Sequence, residues 1–209
     1  MLQDLNLVLF LTASLVVIVA PGPDNILVLT RGISQGRAAA MVSAAGASTG
    51  LVCHSLFAAA GLSALLAQSA TAFSVVKYAG AAYLLYLGVR TLLSRDAFAV
   101  SGGEGGVRLG RVFAQGVASN VMNPKIAVFF LAYLPQFADP ASGGLAPQLF
   151  LLGLAFAGCT WIVFSVLGNF SGSLGDWLGR RPRFSDALRW LTGGVFVALG
   201  LRLALPERG

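Results

Sequence analysis

Three long stretches of the chain contain no charged side chain, and they limit the folds open to it. Asp, Glu, Lys and Arg are absent from residues 5–23, 38–76 and 140–175. A helix that crosses a bilayer needs about 20 mostly apolar residues. Charged residues make up 11% of the chain, whereas soluble domains carry about 25%. These features exclude a soluble globular domain and a disordered chain, two cysteines are too few for a disulfide scaffold, and an integral membrane protein is predicted.

The apolar segments predict an all-α fold with six membrane-spanning helices. The stretch 38–76 is too long for one span, so we expect a turn near Gln68 and Ser69 before the third span. The stretch 140–175 holds one span, and two weaker spans cover about 111–137 and 185–205. The N-terminal segment carries Asp4 and lacks the basic residues of a secretory signal, so it is interpreted as the first span.

Basic residues are divided unequally between the two sides of this six-span arrangement. The loops and helix ends after spans 1, 3 and 5 hold ten of them, and the other side holds three. Because short loops rich in Lys and Arg stay cytoplasmic, both termini are predicted to lie outside. The net charge of +6 is then a topology signal and an attraction to anionic lipid, not a nucleic-acid patch. The ten are Arg31, Arg37, Arg90, Arg95, Arg108, Arg111, Arg180, Arg181, Arg183 and Arg189.

The single membrane domain, 1–209, divides into two weakly similar halves, 1–95 and 111–209. Span 3 ends in Leu87-Gly88-Val89-Arg90, and span 6 ends in Leu199-Gly200-Leu201-Arg202. Three spans per half place the second half upside down relative to the first, and inverted repeats are typical of secondary transporters. The Gly-rich segment 96–110 lacks the Gly-Lys-Ser/Thr of a phosphate-binding loop and is interpreted as a cytoplasmic linker.

The first span of each half is interrupted by proline. The interruptions are Pro-Gly-Pro-Asp-Asn at residues 21–25 and Asn-Val-Met-Asn-Pro-Lys at residues 120–125. Proline breaks a helix, and broken backbone inside a bilayer is tolerated only where protein or a water-filled cavity satisfies it. Paired interruptions predict a transport site. The predicted helix-breaking residues are Pro21, Gly22, Pro23 and Pro124.

Asp24 has two interpretations that the sequence leaves open. It follows Pro23, a favoured first residue of a helix, so its charge can simply stabilise the helix N-terminus. Carboxylates inside a membrane are, however, usually functional. In that case Asp24 exchanges a proton for the ammonium group of a substrate, which is the simplest scheme for coupling transport to protons.

Lys125 also follows a proline, at a helix end where a cation is unfavourable. It either snorkels toward an interface or lies mid-membrane, about 20 Å along the helix from Arg111. There it either faces Asp24 across a pseudo-twofold axis or holds the substrate carboxylate while Asp24 takes the ammonium. If the two charges pair, exchanging them should preserve some transport. The predicted substrate-binding residues are Asp24, Asn25, Asn120, Asn123 and Lys125.

His54, the one histidine of the chain, is either a proton relay or a hydrogen-bonded residue inside the bundle.

An intramembrane hydrolase is a rival function, but Ser48 lies six positions from His54 and points away from it on a helix. An exporter of metal ions is another rival, although Cys53 and His54 diverge and leave Cys159 as a lone third ligand. A passive pore is a third rival function. Because neither the hydrolase nor the metal exporter has the residues it needs, we predict no metal site, no cofactor and no catalytic residue.

Three motifs resemble the LysE/RhtB family of bacterial amino-acid exporters. They are Pro-Gly-Pro-Asp at 21–24, Gly-Ala-Ala-Tyr-Leu-Leu-Tyr-Leu-Gly at 80–88, and the segment from Asn123-Pro124-Lys125 to Leu-Pro-Gln-Phe at 134–137. The resemblance covers nearly the whole chain and is weakest between residues 98 and 109. It implies a six-helix inner-membrane protein that exports amino acids or related metabolites, driven by the proton gradient. It allows self-association and leaves the particular amino acid open. We expect alternating access and a small neutral substrate.

Overall fold

The computed structural model describes residues 2–62, 69–93, 108–139, 143–173 and 182–205. All regular structure in these residues is helical, which confirms the predicted all-α class. The α-helices are α1 (Leu2–Val19), α2 (Pro23–Gln35), α3 (Arg37–Phe57), α4 (Ala70–Leu93), α5 (Leu109–Val121), α6 (Pro124–Val128), α7 (Leu145–Asn169) and α8 (Pro182–Ala204). A π-helix, Ala58–Leu62, continues α3, and a second, Phe129–Tyr133, continues α6 into a 3-10 turn, Leu134–Phe137.

Three helices are long and apolar enough to cross a membrane: Arg37–Gly61, Thr71–Leu93 and Leu145–Asn169. Two bent pairs raise the number to five if each pair is one span. They are Leu7–Val19 with Pro23–Gln35, bent by 55°, and Leu109–Val121 with Pro124–Phe137, bent by 47°. The segment predicted as a sixth span is helical in α8 but is not among these candidates. The described residues thus hold three to five candidate spans, short of the predicted six.

Two predicted connections fall largely outside the described residues. Gln68 is one of the residues not described, but Ser69 accepts a hydrogen bond on Oγ from the backbone N–H of Ala72 at 3.1 Å. Ser69 therefore caps the start of α4, as serine does at a helix N-terminus. The Gly-rich linker 96–110 is described only from Arg108 onward.

Large apolar side chains cover the outside of the helices as well as the core. Val75 and Leu151 are each 64% exposed, and Ile162 is 63% exposed. Many large apolar side chains exposed in this way are unfavourable in water and are what lipid covers in a membrane. The inside holds an aromatic cluster around Phe129, in which the ring of Phe156 lies 4.8 Å from that of Phe129. The sequence therefore folds as a bundle with apolar side chains on both faces.

Glycine brings α3 and α5 into close contact. A Cβ atom at Gly46 would lie 2.3 Å from the backbone oxygen of Phe113, and one at Gly116 would lie 2.6 Å from the backbone oxygen of Ser43. Backbone atoms cannot rotate away from such a contact as a flexible side chain can. Small residues at helix interfaces in membranes permit this approach. The contact holds the middle of α5 against α3, in the helix that leads to the second break.

The pairing of α4 with α8 is reciprocal. A Cβ atom at Gly88 would lie 2.7 Å from Cγ2 of Val197, and one at Gly200 would lie 2.9 Å from Cγ of Leu85. The number of residues that separates Gly88 from Gly200 also separates Leu85 from Val197. The same shift in residue number therefore converts one contact into the other.

Candidate functional site

Both helix breaks end in a proline that begins the next helix. Residues 20–22 separate α1 from α2, which starts at Pro23, and residues 122–123 separate α5 from α6, which starts at Pro124. Proline is favoured at the first helical position because it has no N–H to leave unpaired. Asp24 and Lys125 consequently take the same position, second in their helices, and their side chains extend toward the opposite break.

Asp24 is buried, with 2% of its surface exposed, and its carboxylate accepts three hydrogen bonds from the second break. Ser119 Oγ donates to Oδ1 at 2.7 Å. Asn120 Nδ2 and Asn123 Nδ2 donate to Oδ2 at 2.8 and 2.9 Å. A buried charge is tolerated only when it is well hydrogen-bonded, and bonds to an ionised acceptor are the stronger kind. Asp24 thereby links the start of α2 to the end of α5.

Lys125 is buried, with 5% exposed, and its ammonium group lies at the end of α1. Nζ donates to the backbone oxygens of Val17 at 3.1 Å and Ala20 at 2.9 Å. In an unbroken helix Val17 O would accept from the N–H of residue 21, but Pro21 has none. Carbonyl groups at a helix C-terminus carry partial negative charge and favour a nearby cation. Lys125 thereby links the start of α6 to the end of α1.

These two charges share a site without forming an ion pair. Both side chains are described, and Nζ of Lys125 does not lie within 4.0 Å of a carboxylate oxygen of Asp24. The hypothesis of a direct pair across a pseudo-twofold axis therefore does not describe this structure. The physical reason is that the broken end of α1 offers carbonyl acceptors to Lys125, while three neutral donors at the end of α5 surround Asp24.

The asparagines of the site differ in what they bind. Asn123 Oδ1 accepts from the backbone N–H of Lys125 at 3.0 Å and caps α6, while its Nδ2 binds Asp24. Asn25 Nδ2 donates to the backbone oxygen of Ile18 at 2.8 Å, at the end of α1. Asn25 and Asn120 are 2% and 1% exposed, and the Oδ1 atom of each has no hydrogen-bond partner among the described residues. The site thus contains two buried acceptors that none of these residues satisfies.

Two glycines give the site its close contacts. A Cβ atom at Gly22 would lie 2.9 Å from Lys125 Nζ, and one at Gly50 would lie 2.8 Å from Cβ of Asn120. Both distances are too short for a side chain to be added without movement of its neighbour. Gly22 was predicted only as a helix breaker, and the structure adds that its missing side chain makes room for the ammonium group of Lys125.

His54 lies on α3 at the edge of the site. It is 9% exposed, its Nε2 atom lies 3.2 Å from the backbone oxygen of Asn120, and its ring centroid is 5.5 Å from that of Phe130. Because a carbonyl oxygen only accepts, this contact requires the proton to be on Nε2. This hydrogen bond holds the end of α5 where Asn120 reaches Asp24.

Sequence reasoning missed Ser119 and the contact between Arg31 and Gln115. Ser119 directly precedes Asn120, a predicted binding residue, but nothing else in the sequence sets it apart from the other small polar residues of the apolar helices. Arg31 donates to Gln35 at 2.7 Å and also to Gln115, which joins α2 to α5. Arg31 is about 10 Å along α2 from Asp24, given seven residues at ~1.5 Å each.

The described part of the chain holds no group of three His, Cys, Asp or Glu side chains close enough for a metal ion. Cys53 and Cys159 are free thiols, both half-buried. The chemistry present in the candidate site is therefore that of one carboxylate, one ammonium group and a set of amide and hydroxyl groups.

Two broken helices that bring buried opposite charges together inside an apolar helical bundle define the architecture of a membrane transporter. The chain belongs to the LysE type translocator family, whose model matches residues 15–207. The family predicted from the three motifs is confirmed.

Relatives match over nearly their whole length. An uncharacterized membrane protein of Vibrio cholerae is 31% identical over 198 residues, covering 95% of this chain and 96% of the relative. A homoserine/homoserine lactone efflux protein of Salmonella typhimurium is 31% identical, with 93% and 94% covered. A leucine efflux protein of Salmonella choleraesuis is 26% identical, with 96% and 95% covered. No solved structure matches the chain significantly.

Proposed function

We propose that this protein is a secondary active exporter of small neutral amino acids or their close derivatives in the bacterial inner membrane. The observation that carries the proposal is the buried, oppositely charged site formed by the two helix breaks. The relatives named for efflux of homoserine, homoserine lactone and leucine support the substrate class. Homoserine, homoserine lactone and leucine have in common an amino group and a small or apolar side chain.

For the architecture we propose six spans in two inverted halves, 1–95 and 111–209, joined by a cytoplasmic linker at 96–110, with both termini outside. The reciprocal contacts of Gly88 and Gly200 support a twofold relation between the halves. So does the equivalent position of Asp24 and Lys125 after a proline. A single cysteine at residue 3 or 207, in a Cys53→Ser/Cys159→Ser background, should react with a membrane-impermeant maleimide in cells with a permeable outer membrane. Labelling at only one end would contradict an even number of spans.

The proposed cycle is alternating access, coupled to proton influx at Asp24. The carboxylate binds the substrate ammonium from the cytoplasmic side, releases it outside, and returns with a proton in its place. Asn25, Asn120 and Asn123 add neutral hydrogen bonds around it, and His54, next to Asn120, takes up the proton and passes it toward the site by its own titration. Lys125 binds the two halves together through the carbonyl groups of α1 and is available to a substrate carboxylate only if it leaves them.

Counterflow from proteoliposomes tests this function. Vesicles loaded with one unlabelled amino acid from a panel that includes leucine, homoserine and threonine should accumulate the labelled compound, and an inward proton gradient should accelerate net export. Asp24→Asn should retain little proton-dependent flux, because the amide cannot cycle a proton. Gly158→Ala is a matched control, since a Cβ atom at Gly158 meets nothing within 4 Å. A wild-type rate in Asp24→Asn would remove the coupling role, and flux indifferent to the gradient would indicate a passive pore.

A further inference from the structure

We propose that Arg31 binds the carboxylate of a substrate on its path to Asp24, and that Gln115 occupies the guanidinium group until the substrate arrives. This inference rests on the proposed export function and adds a second binding position to it. The feature that supports it is an arginine whose charge no described carboxylate offsets. Among the described residues, no side-chain oxygen of Asp or Glu lies within 4.0 Å of a nitrogen of Arg31.

The guanidinium group of Arg31 has two neutral partners and one N–H group without a partner. Nη1 donates to Oε1 of Gln35 at 2.7 Å, and Nη2 donates to Oε1 of Gln115. Nε is buried and has no hydrogen-bond partner among the described residues. Nε and Nη2 are adjacent N–H groups of the kind that bind a carboxylate through two parallel hydrogen bonds. One group of this pair is therefore free, and an amide oxygen binds the other.

A carboxylate is a better partner for this pair of N–H groups than the amide of Gln115. It carries a full negative charge, and it accepts from both N–H groups at once. It would also pair the buried Nε, which is unfavourable to leave unpaired. Gln115 is exposed, so its side chain can leave Nη2 without disturbing the core. Gln115 is thus a replaceable partner of Arg31.

Arg31 and Asp24 lie on one face of α2, toward α5. They are seven residues apart, which is nearly two helical turns. Their partners on α5 follow the opposite order, since Gln115 lies four residues before Ser119. Asp24 is buried, Arg31 is half-buried and Gln115 is exposed. The two helices therefore form an antiparallel contact, with Arg31 at its accessible end and Asp24 at its inner end.

The order of the two charges fits a substrate that carries both. Arg31 is one of the basic residues on the side predicted to be cytoplasmic, from which an exporter takes its substrate. A zwitterionic amino acid that enters here meets the guanidinium group first, through its carboxylate. It meets the carboxylate of Asp24 next, through its ammonium group. Arg31 thus recognises the end of the substrate that Asp24 does not.

Paired ligands test the inference in proteoliposomes. L-homoserine is compared with its lactone, and L-leucine with L-leucinamide, because each pair differs in the free carboxylate. In Arg31→Gln, inhibition of the counterflow of trace labelled L-homoserine by the two acids should weaken by about tenfold or more, and inhibition by the lactone and the amide by less than about threefold. Arg37→Gln is the control, because it removes an exposed charge close by in the chain and should leave all four unchanged.

Substitutions at Gln115 separate binding from structural support. If the contact only holds α2 against α5, Gln115→Ala should weaken the acids as Arg31→Gln does. If Gln115 occupies the site, Gln115→Ala should leave inhibition by the acids unchanged or strengthen it. Gln115→Glu, which places a carboxylate beside Arg31, should weaken the acids by about threefold or more. Arg31→Lys keeps the charge without the paired N–H groups, so its preference for the acids should lie between those of the wild type and Arg31→Gln.

Three results would overturn the inference and leave the exporter intact. They are equal weakening of the acids and their counterparts in Arg31→Gln, no change in that variant, and weaker inhibition by the acids in Gln115→Ala. Equal weakening would indicate a structural role or a contact with lipid phosphate. If Arg31→Gln does not fold, Arg31→Lys and Gln115→Glu decide the inference by the same ratio of acid to counterpart.

Failure of the proposed function gives a different result. If neither acid supports counterflow, the proposed substrates are wrong, and thermal stabilisation of the purified protein by the same four compounds decides the inference. Stabilisation by the acids that is lost in Arg31→Gln and kept in Gln115→Ala supports it, and any other pattern overturns it.

Discussion

Asp24 and Lys125 exchange partners between the two helix breaks: each is the second residue of the helix after its own break and binds the end of the helix before the other break. Asp24 reaches Asn120 across 96 residues of sequence, and Lys125 reaches Ala20 across 105. The arrangement connects both breaks through four helix ends, those of α1, α2, α5 and α6. Because neither charge binds the other, each can be removed or altered with a separate and predictable consequence.

Exchanging the two charges should abolish transport. In the double variant Asp24→Lys/Lys125→Asp, the new carboxylate would face the backbone oxygens of Val17 and Ala20, which cannot donate to it. The new ammonium group would face N–H and O–H donors. Counterflow should be no higher than in either single variant. Recovery of flux in the double variant would instead demonstrate that the two residues pair directly during the cycle.

Removing the ammonium group should destabilise the protein by leaving two carbonyl groups unpaired. Lys125→Met should lower the free energy of unfolding by about 2–6 kcal/mol, since each of the two buried acceptors left unpaired costs about 1–3 kcal/mol. Lys125→Gln retains a donor and should lose about half as much. Thermal unfolding in detergent measures the order of stability of the wild type and the two variants. Arg111→Met is the control, because it removes an exposed charge from α5. Equal stability of the Met and Gln variants would contradict the carbonyl contacts.

The helix breaks could be predicted from the sequence, but their partners could not. Proline has a fixed local effect, so residues 21–25 and 120–125 were identifiable as interruptions without any tertiary information. The partners of Lys125 are backbone oxygens, which every residue has. The oxygen of Val17 is available because Pro21 lacks an N–H, and that of Ala20 because the helix ends before it can be paired. Ser119 is one of several small polar residues in apolar helices, and only the packing of α2 on α5 distinguishes it.

Substitutions at Asn123 should separate its two roles. Asn123→Ser keeps a side-chain oxygen that can cap α6, but its hydroxyl is one bond shorter than the Nδ2 donor and should lose the bond to Asp24, whereas Asn123→Ala loses both. Asn123→Ala should be less stable than Asn123→Ser by about 1 kcal/mol. Counterflow should fall in both to a similar level, because Asp24 loses the same bond. A Ser variant with wild-type flux would indicate that Asn123 serves the helix alone.

The close approach of α3 and α5 should be intolerant of a single methyl group. Gly46→Ala places a Cβ atom 2.3 Å from a backbone oxygen, that of Phe113, so the two helices must separate. This should move Asn120 away from Asp24 and reduce both thermal stability and flux. Gly158→Ala and Gly194→Ala, which meet nothing within 4 Å, should be neutral or slightly stabilising because alanine favours helix.

The proposed twofold relation makes a paired prediction for Gly88 and Gly200. Gly88→Ala and Gly200→Ala should lower the unfolding temperature by similar amounts, because each Cβ atom meets an aliphatic side chain at the same place in the α4–α8 contact. Shortening that side chain, with Val197→Ala for Gly88→Ala and Leu85→Ala for Gly200→Ala, should restore part of the loss. The contacts with the backbone oxygens of Gly193 and Ala81, at 2.9 and 3.0 Å, would remain. Effects that differ strongly between the two glycines would contradict equivalent halves, since the inverted repeat requires their surroundings to match.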